Sequence, residues 1–128
     1  MNAIDTNILI RYLTQDDAKQ GDAAKELIES GEPVFLTHTV LIEAVWVLTA
    51  SYGLDRDTIG KVLHELTNNS FFILEKAQMI SKALQDYQHG FDFSDMVIGY
   101  CGISKGCNTT YTFDKKASRH SLFTLLLK

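Results

Sequence analysis

Proline and cysteine are scarce: 128 residues contain one proline, Pro33, and two cysteines, Cys101 and Cys107. Two thiols with five residues between them are too few for a four-ligand structural zinc site and lack the C-x-x-C redox spacing. Disulfide and zinc-finger scaffolds are therefore excluded, and both thiols are expected to be reduced, packed or idle. No Gly/Ser or charge-rich tract and no internal repeat occurs, which argues against linkers, disordered tails and repeat architectures. No apolar run is long enough to cross a bilayer, and the start Met-Asn-Ala-Ile-Asp-Thr-Asn lacks the basic stretch and apolar core of a secretory signal. The expectation is a cytoplasmic protein without membrane contact. Surplus positive charge is missing too: 12 Lys and Arg stand against 16 Asp and Glu, a net charge of -4. That balance ordinarily counts against a nucleic-acid binder. It loses force if several acids gather at one point to hold metal, because bound cations reverse the local charge.

With 45% hydrophobic and 22% charged residues, the chain can bury one core, and a single domain spanning 1–128 is expected. Residues 2–5 form a short strand, followed by a helical pattern through Ile8, Leu9, Tyr12 and Leu13. Asp17 to Ser30 is a second helix that stops at Gly31. Val34 to Leu36 is a second strand. Thr39 caps a helix carrying Val40, Leu41, Ala44, Val45 and Leu48 toward Tyr52 and Gly53. Asp55 or Asp57 caps the next, with Ile59, Val62, Leu63 and Leu66 on one face. A third strand at Phe71–Leu74 precedes a helix through Ile80, Ala83, Leu84 and Tyr87, and another runs from about Ser94 to Gly106. Thr109–Phe113 is a fourth strand, and the apolar segment Ser121–Leu127 can add a fifth. Strands alternating with helices predict an α/β fold with a central parallel sheet of four to five strands flanked by helices.

In open parallel sheets, ligands gather beyond the carboxyl ends of the strands. Asp5 and Asp114 each follow a strand, Glu43 lies in the first turns of the helix after the second strand, and Asp95 lies in the first turn of its helix. Each has an ordinary alternative. Asp5 can cap a helix, Asp92 with Asp95 resembles a capping box, and Asp114 can open a turn. Glu43 sits in the apolar run Val-Leu-Ile-Glu-Ala-Val-Trp, where a charge is costly unless solvated or coordinated. Together they supply the several oxygens that a hard dication needs.

Ile4-Asp5-Thr6-Asn7-Ile8-Leu9-Ile10-Arg11-Tyr12-Leu13 resembles the opening of PIN domains, especially of the VapC-type toxins of bacterial toxin-antitoxin pairs. Val40-Leu41-Ile42-Glu43, Asp92-Phe93-Ser94-Asp95-Met96-Val97-Ile98 and Thr112-Phe113-Asp114-Lys115-Lys116 resemble the family's later acidic blocks, in the same order. The resemblance implies a PIN fold, Mg²⁺ or Mn²⁺, and endonucleolytic cleavage of RNA to 5'-phosphate and 3'-hydroxyl ends. By position, Asp5, Glu43, Asp95 and Asp114 become the catalytic, metal-holding acids, with Thr6, Asn7 and Thr112 orienting them. Asp92 ranks behind them as an extra acid, since capping explains it without metal. Gly99 stands where many relatives have alanine, and looser helix packing is expected there. The resemblance further implies a homodimer and an antitoxin partner lying across the active-site groove.

Arg11, Lys115, Lys116, Arg119 and His120 lie near these acids in sequence and could reach RNA phosphates, ordinary surface solvation being the alternative. His38, His64 and His89 have no metal spacing and are expected at the surface. Trp46 is expected in the core or at an interface rather than stacked on a base. Two other functions compete: a receiver-like domain phosphorylated on Asp5, for which Lys105 is poorly placed, and a PIN-like module that binds RNA or protein without catalysis, whose mark would be a missing acid.

Overall fold

The computed structural model describes residues 1–127. The chain divides into two compact units, Met1–Ala77 and Gln78–Lys128. In the first, β1 (Asn2–Ala3), β2 (Val34–Leu36) and β3 (Phe72–Leu74) form a parallel sheet in the order β1-β2-β3. Parallel neighbours require crossovers. The helices α1 (Thr6–Thr14) and α2 (Ala18–Ile28) connect β1 to β2, and α3 (His38–Ala50) and α4 (Arg56–Asn68) connect β2 to β3. Central β2 buries Val34 and Leu36, and Leu9, Ile28, Leu41 and Ile59 join them as fully buried side chains. Each such side chain is worth about 1.5–3 kcal/mol of hydrophobic stabilisation.

The second unit holds α5 (Ala77–Gln88), α6 (Phe93–Ser104), β4 (Thr110–Thr112), a 3-10 turn at Ala117–Arg119 and β5 (Phe123–Leu125). β4 and β5 pair in parallel, Thr110 opposite Phe123 and Thr112 opposite Leu125. Ile80, Phe93, Met96 and Val97 are fully buried, and Tyr87 meets Phe93 edge to face at 6.2 Å. Five parallel strands therefore occur, as the alternation of patterns implies. Among the described residues they group into a three-stranded and a two-stranded sheet rather than one ladder.

Helix starts are set by side-chain caps. Asp5, Asp17, Thr37, Asp55 and Asp92 each accept a hydrogen bond from the backbone N–H three residues on, a contact worth about 1 kcal/mol. The cap of α3 is thus Thr37, not Thr39. Chain leaving β2 at Leu36 is still extended at Thr37, with ψ 155°, and becomes helical at once. Likewise β1 stops at Ala3, short of the expected 2–5, because Asp5 is committed to capping α1.

Gly90, with φ +101°, takes the left-handed conformation that ends α5 and turns the chain toward the cap of α6. Gly99 corrects the expectation of loose packing. A Cβ there would lie 2.9 Å from Leu122 Cδ1 and 3.0 Å from both Leu122 Cβ and Phe123 Cε2, so the missing side chain lets α6 sit tightly on the β5 segment. Trp46 is 72% exposed and does not pack in the core. With Thr39, Glu43 and Ala50 it forms the solvent face of α3 at helical spacing. His38 is half-buried rather than on the surface, its Nδ1 3.5 Å from Glu75 Oε1, whereas His64 and His89 are exposed as expected.

Candidate active site

In the first unit, the start of α1 and the middle of α3 carry the candidate groups. Asp5 is exposed, and its Oδ1 accepts the Ile8 N–H at 3.1 Å. The next residue, Thr6, donates through Oγ1 to Glu43 Oε1 at 3.0 Å. That bond ties the first turn of α1 to α3, and it explains how a glutamate survives in so apolar a helix: Glu43 faces solvent and has a partner. A cleft of about 370 Å³ opens beside Asp5, bordered by Asn7, Ile8 and Arg11 on α1 and by Gln20, Ala24 and Leu27 on α2.

Arg11 borders this cleft with its charge already shared. Its Nε donates to Gln20 Oε1 at 2.7 Å, and Nη1 donates to Asp16 Oδ1 at 2.9 Å and to the Tyr52 hydroxyl at 3.3 Å. Asp16 also accepts from the hydroxyls of Thr14 and Tyr52. The hydroxyl bonds, chiefly that from Tyr52, together with the Arg11 guanidinium hold the Asp16 carboxyl down at about 2.

In the second unit, Asp92 caps α6. Its Oδ2 accepts from the Ser94 hydroxyl at 2.6 Å and from the Asp95 N–H at 3.0 Å. Asp95 is half-buried on the first turn. Burial foremost, then the charges of Asp92 and Asp114, pushes its carboxyl above the ordinary range. Asp95 thus feels the charge of both Asp92 and Asp114. Asp114 follows β4, and its own N–H donates to Thr112 Oγ1 at 3.0 Å. Its Oδ1 accepts from the N–H groups of Lys116 and Ala117, so Thr112 and the turn at residues 115–117 fix where the carboxylate stands. Lys115, Lys116 and Arg119 are exposed. No ion pair engages them among the described residues. Nor do any three His, Cys, Asp or Glu side chains there form a ready-made metal-binding group.

A second polar cluster escaped the sequence reading. The Tyr100 hydroxyl donates to Asp86 Oδ2, His120 Nε2 lies 3.1 Å from the same oxygen, and His120 Nδ1 accepts the Leu122 N–H at 3.1 Å. Burial and then Asp86 push the Tyr100 phenol up to about 12. His120, expected near phosphates, is instead a buttress joining α5 and α6 to the segment after Asp114. No local motif signals this, because Asp86, Tyr100 and His120 are far apart in the chain.

Parallel strands joined by helices, with carboxylates at helix starts and in the turn after a strand, define an α/β protein with acidic groups near strand ends, where such folds place their ligands. The PIN domain family model matches residues 3–121, and the chain belongs to the PIN domain family. It is also similar to a VapC ribonuclease of Aquifex aeolicus (strain VF5), at 29% identity over 90 residues that cover 68% of this chain and 67% of the relative. No solved structure matches it.

Proposed function

We propose that this protein is a Mg²⁺- or Mn²⁺-dependent endoribonuclease, the toxin of a toxin-antitoxin pair, in which Asp5, Glu43, Asp95 and Asp114 are the metal-holding acids. PIN family membership and the name of the Aquifex relative support the ribonuclease reading. The observation that carries it is the half-buried Asp95, whose carboxyl is pushed above the ordinary range by burial first and then by the charges of Asp92 and Asp114. Like charges on a half-buried carboxylate are unfavourable alone and become favourable around a dication, so the donors fit a hard cation, all of them being carboxylate oxygens.

When bound, such an ion acidifies a water and neutralises charge that develops on the phosphate. The chain's own residues prepare for that. Thr6 holds Glu43, Thr112 and the Lys116 N–H hold Asp114, and the α6 cap holds the first turn that carries Asp95. Asn7 lines the cleft and is proposed to orient Asp5. Lys115, Lys116 and Arg119 are the proposed phosphate contacts, and Arg11 joins them by exchanging Asp16 for a phosphate. Asp92 is proposed as a cap first and an electrostatic contributor second. Neutralisation of the acidic set by an antitoxin segment would silence the enzyme, and the protein is proposed to work as a cytoplasmic homodimer.

The test is cleavage of a mixed RNA pool with Mg²⁺ or Mn²⁺, with chelator, and by Asp5→Asn and Asp95→Asn. Cleavage should vanish with chelator and fall by orders of magnitude in both variants. Activity indifferent to chelator and to both substitutions refutes the proposal. Mn²⁺ binding without cleavage of any RNA would point instead to a non-catalytic binding module.

A further inference from the structure

Two aromatic side chains stand in water beside the fourth acid. Along β4 and the residue after it, burial alternates: Thr110 and Thr112 are half-buried, whereas Tyr111 is 64% and Phe113 is 70% exposed. Alternation puts residues two apart on the same side of a strand, about 6.6 Å from one another. Leu126, beside them through the bond from its N–H to the Thr112 carbonyl, is 59% exposed. Two large rings at and just past the end of a short strand have every hydrophobic reason to be covered; a single exposed residue would need no account, but two exposed rings with Leu126 near them do. Its surroundings say what covers it. Asp114 follows Phe113 directly, and the exposed cations Lys115, Lys116 and Arg119 come next, free of carboxylate partners among the described residues. Flat apolar faces flanked by positive charge match unpaired bases on a phosphate backbone, since each base has a π-face and each nucleotide a negative charge.

We propose that Tyr111 and Phe113 form a stacking platform for two successive unpaired bases, delivering single-stranded RNA to Asp114 while Lys115, Lys116 and Arg119 hold its phosphates. This inference rests on the ribonuclease reading and narrows its substrate to unpaired segments. A duplex keeps its bases stacked on each other and cannot use the rings.

The test measures binding of a fluorescein-labelled 12-nucleotide single-stranded RNA, and of the same strand in a duplex, by full-length protein carrying Asp95→Asn to prevent cleavage. Stacking contributes enough per base that removing one ring weakens binding about 5- to 100-fold. Tyr111→Ala with Phe113→Ala should therefore lose at least about 25-fold toward the single strand and little toward the duplex. The ring-preserving pair Tyr111→Phe and Phe113→Tyr should restore it, and Trp46→Ala should have no effect. Should the double alanine variant fold poorly, Phe113→Trp in a Trp46→Phe background gives an independent signal, fluorescence quenched by the single strand. Unchanged affinity in a folded double variant, or an unquenched indole, overturns the platform. Conversion of a dimer to a monomer with RNA affinity intact overturns it in favour of a self-interface. Wild-type protein that cleaves RNA while the double variant binds normally refutes the platform alone. Wild-type protein that neither binds nor cleaves RNA refutes the ribonuclease reading and the platform with it.

Discussion

Replacing Gly99 by alanine sets two effects of opposite sign against each other. In a helix interior, alanine is preferred over glycine by about 0.5–1 kcal/mol. Against that, the new methyl would stand 2.9 Å from Leu122 Cδ1 and 3.0 Å from Leu122 Cβ and Phe123 Cε2, where carbon atoms rest comfortably at about 3.5–4.0 Å. Leu122 and Phe123 are both buried, and Leu122 gives its carbonyl and its N–H to backbone and His120 partners, so neither can swing aside. Overpacking of this kind costs about 1–3 kcal/mol. The difference is a net loss of about 1 kcal/mol, which for a chain of this size lowers Tm by about 4 °C. Thermal unfolding followed by circular dichroism reads it directly. Gly21→Ala is the control: the three atoms nearest a Cβ there belong to the amide of exposed Gln15, which can swing into solvent at the loss of its bonds to the Tyr12 and Gly21 carbonyls, so Tm should fall less than for Gly99→Ala. A Tm for Gly99→Ala at or above that of Gly21→Ala would refute the close-packing argument. Since Asp95 precedes Gly99 by one turn on the same helix, the forced shift should also weaken Mn²⁺ binding more than Gly21→Ala does.

Asp16 titrates low because Tyr52, Thr14 and Arg11 favour its charged form. A depressed carboxylate contributes stability above its ordinary value near 3.8 and loses it as pH falls toward about 2. The gap in Tm between wild type and Asp16→Asn should therefore be constant from pH 7 to 5 and close by pH 2, and a gap that persists at pH 2 contradicts the assignment. Thr6→Val removes the hydroxyl that holds Glu43. RNA cleavage and Mn²⁺ affinity should fall about 10- to 100-fold, as for other groups that orient metal ligands, and Thr6→Ser should recover most of both; an unaffected Thr6→Val variant means that Glu43 needs no such support. Trp46→Glu, at a position 72% exposed, should leave monomer unfolding within about 0.5 kcal/mol of wild type but shift sedimentation toward the monomer if this face of α3 joins two copies. Tm reduced by several degrees would instead show that Trp46 packs within the chain.

Short-range physics was readable in the order of residues, and long-range pairing was not. The stripe Ile59, Val62, Leu63 and Leu66 follows from spacing alone, and all but the half-buried Val62 are buried, whereas spacing left the cap open between Asp55 and Asp57 and the structure uses Asp55. The cap of α3 was misplaced by two residues because Thr37 and Thr39 are chemically equal and only the end of β2 decides between them. Asp5, Glu43, Asp95 and Asp114 were nameable because carboxylates suit a metal and these follow strands or lie in the first turns of helices, whereas Thr6 and Thr112 came only from the family resemblance. The long-range bonds, Thr6 to Glu43 and the Asp86 cluster around His120, join segments far apart in sequence. Tyr111 and Phe113 did carry a signal, aromatics at alternate positions in Thr-Thr-Tyr-Thr-Phe-Asp, but alternation alone does not say which face is buried.

Capping and metal-holding were posed as alternatives for Asp5 and Asp92, and the geometry makes them compatible. A capping carboxylate engages one oxygen with an N–H at the positive end of a helix, a field that favours its charged form. At Asp5 that leaves the second oxygen outside the cap. Asp95, also on a first helical turn, gains from the same field while Asp92 and Asp114 oppose its charge. Helix starts therefore let this chain carry these acids at low cost, which would reconcile a net charge of -4 with the proposed phosphodiester substrate. They also explain why asparagine is the informative replacement. Asparagine caps as well as aspartate does, so Asp5→Asn keeps α1 intact, removes the charge, and separates the observed capping role from the proposed metal-holding one.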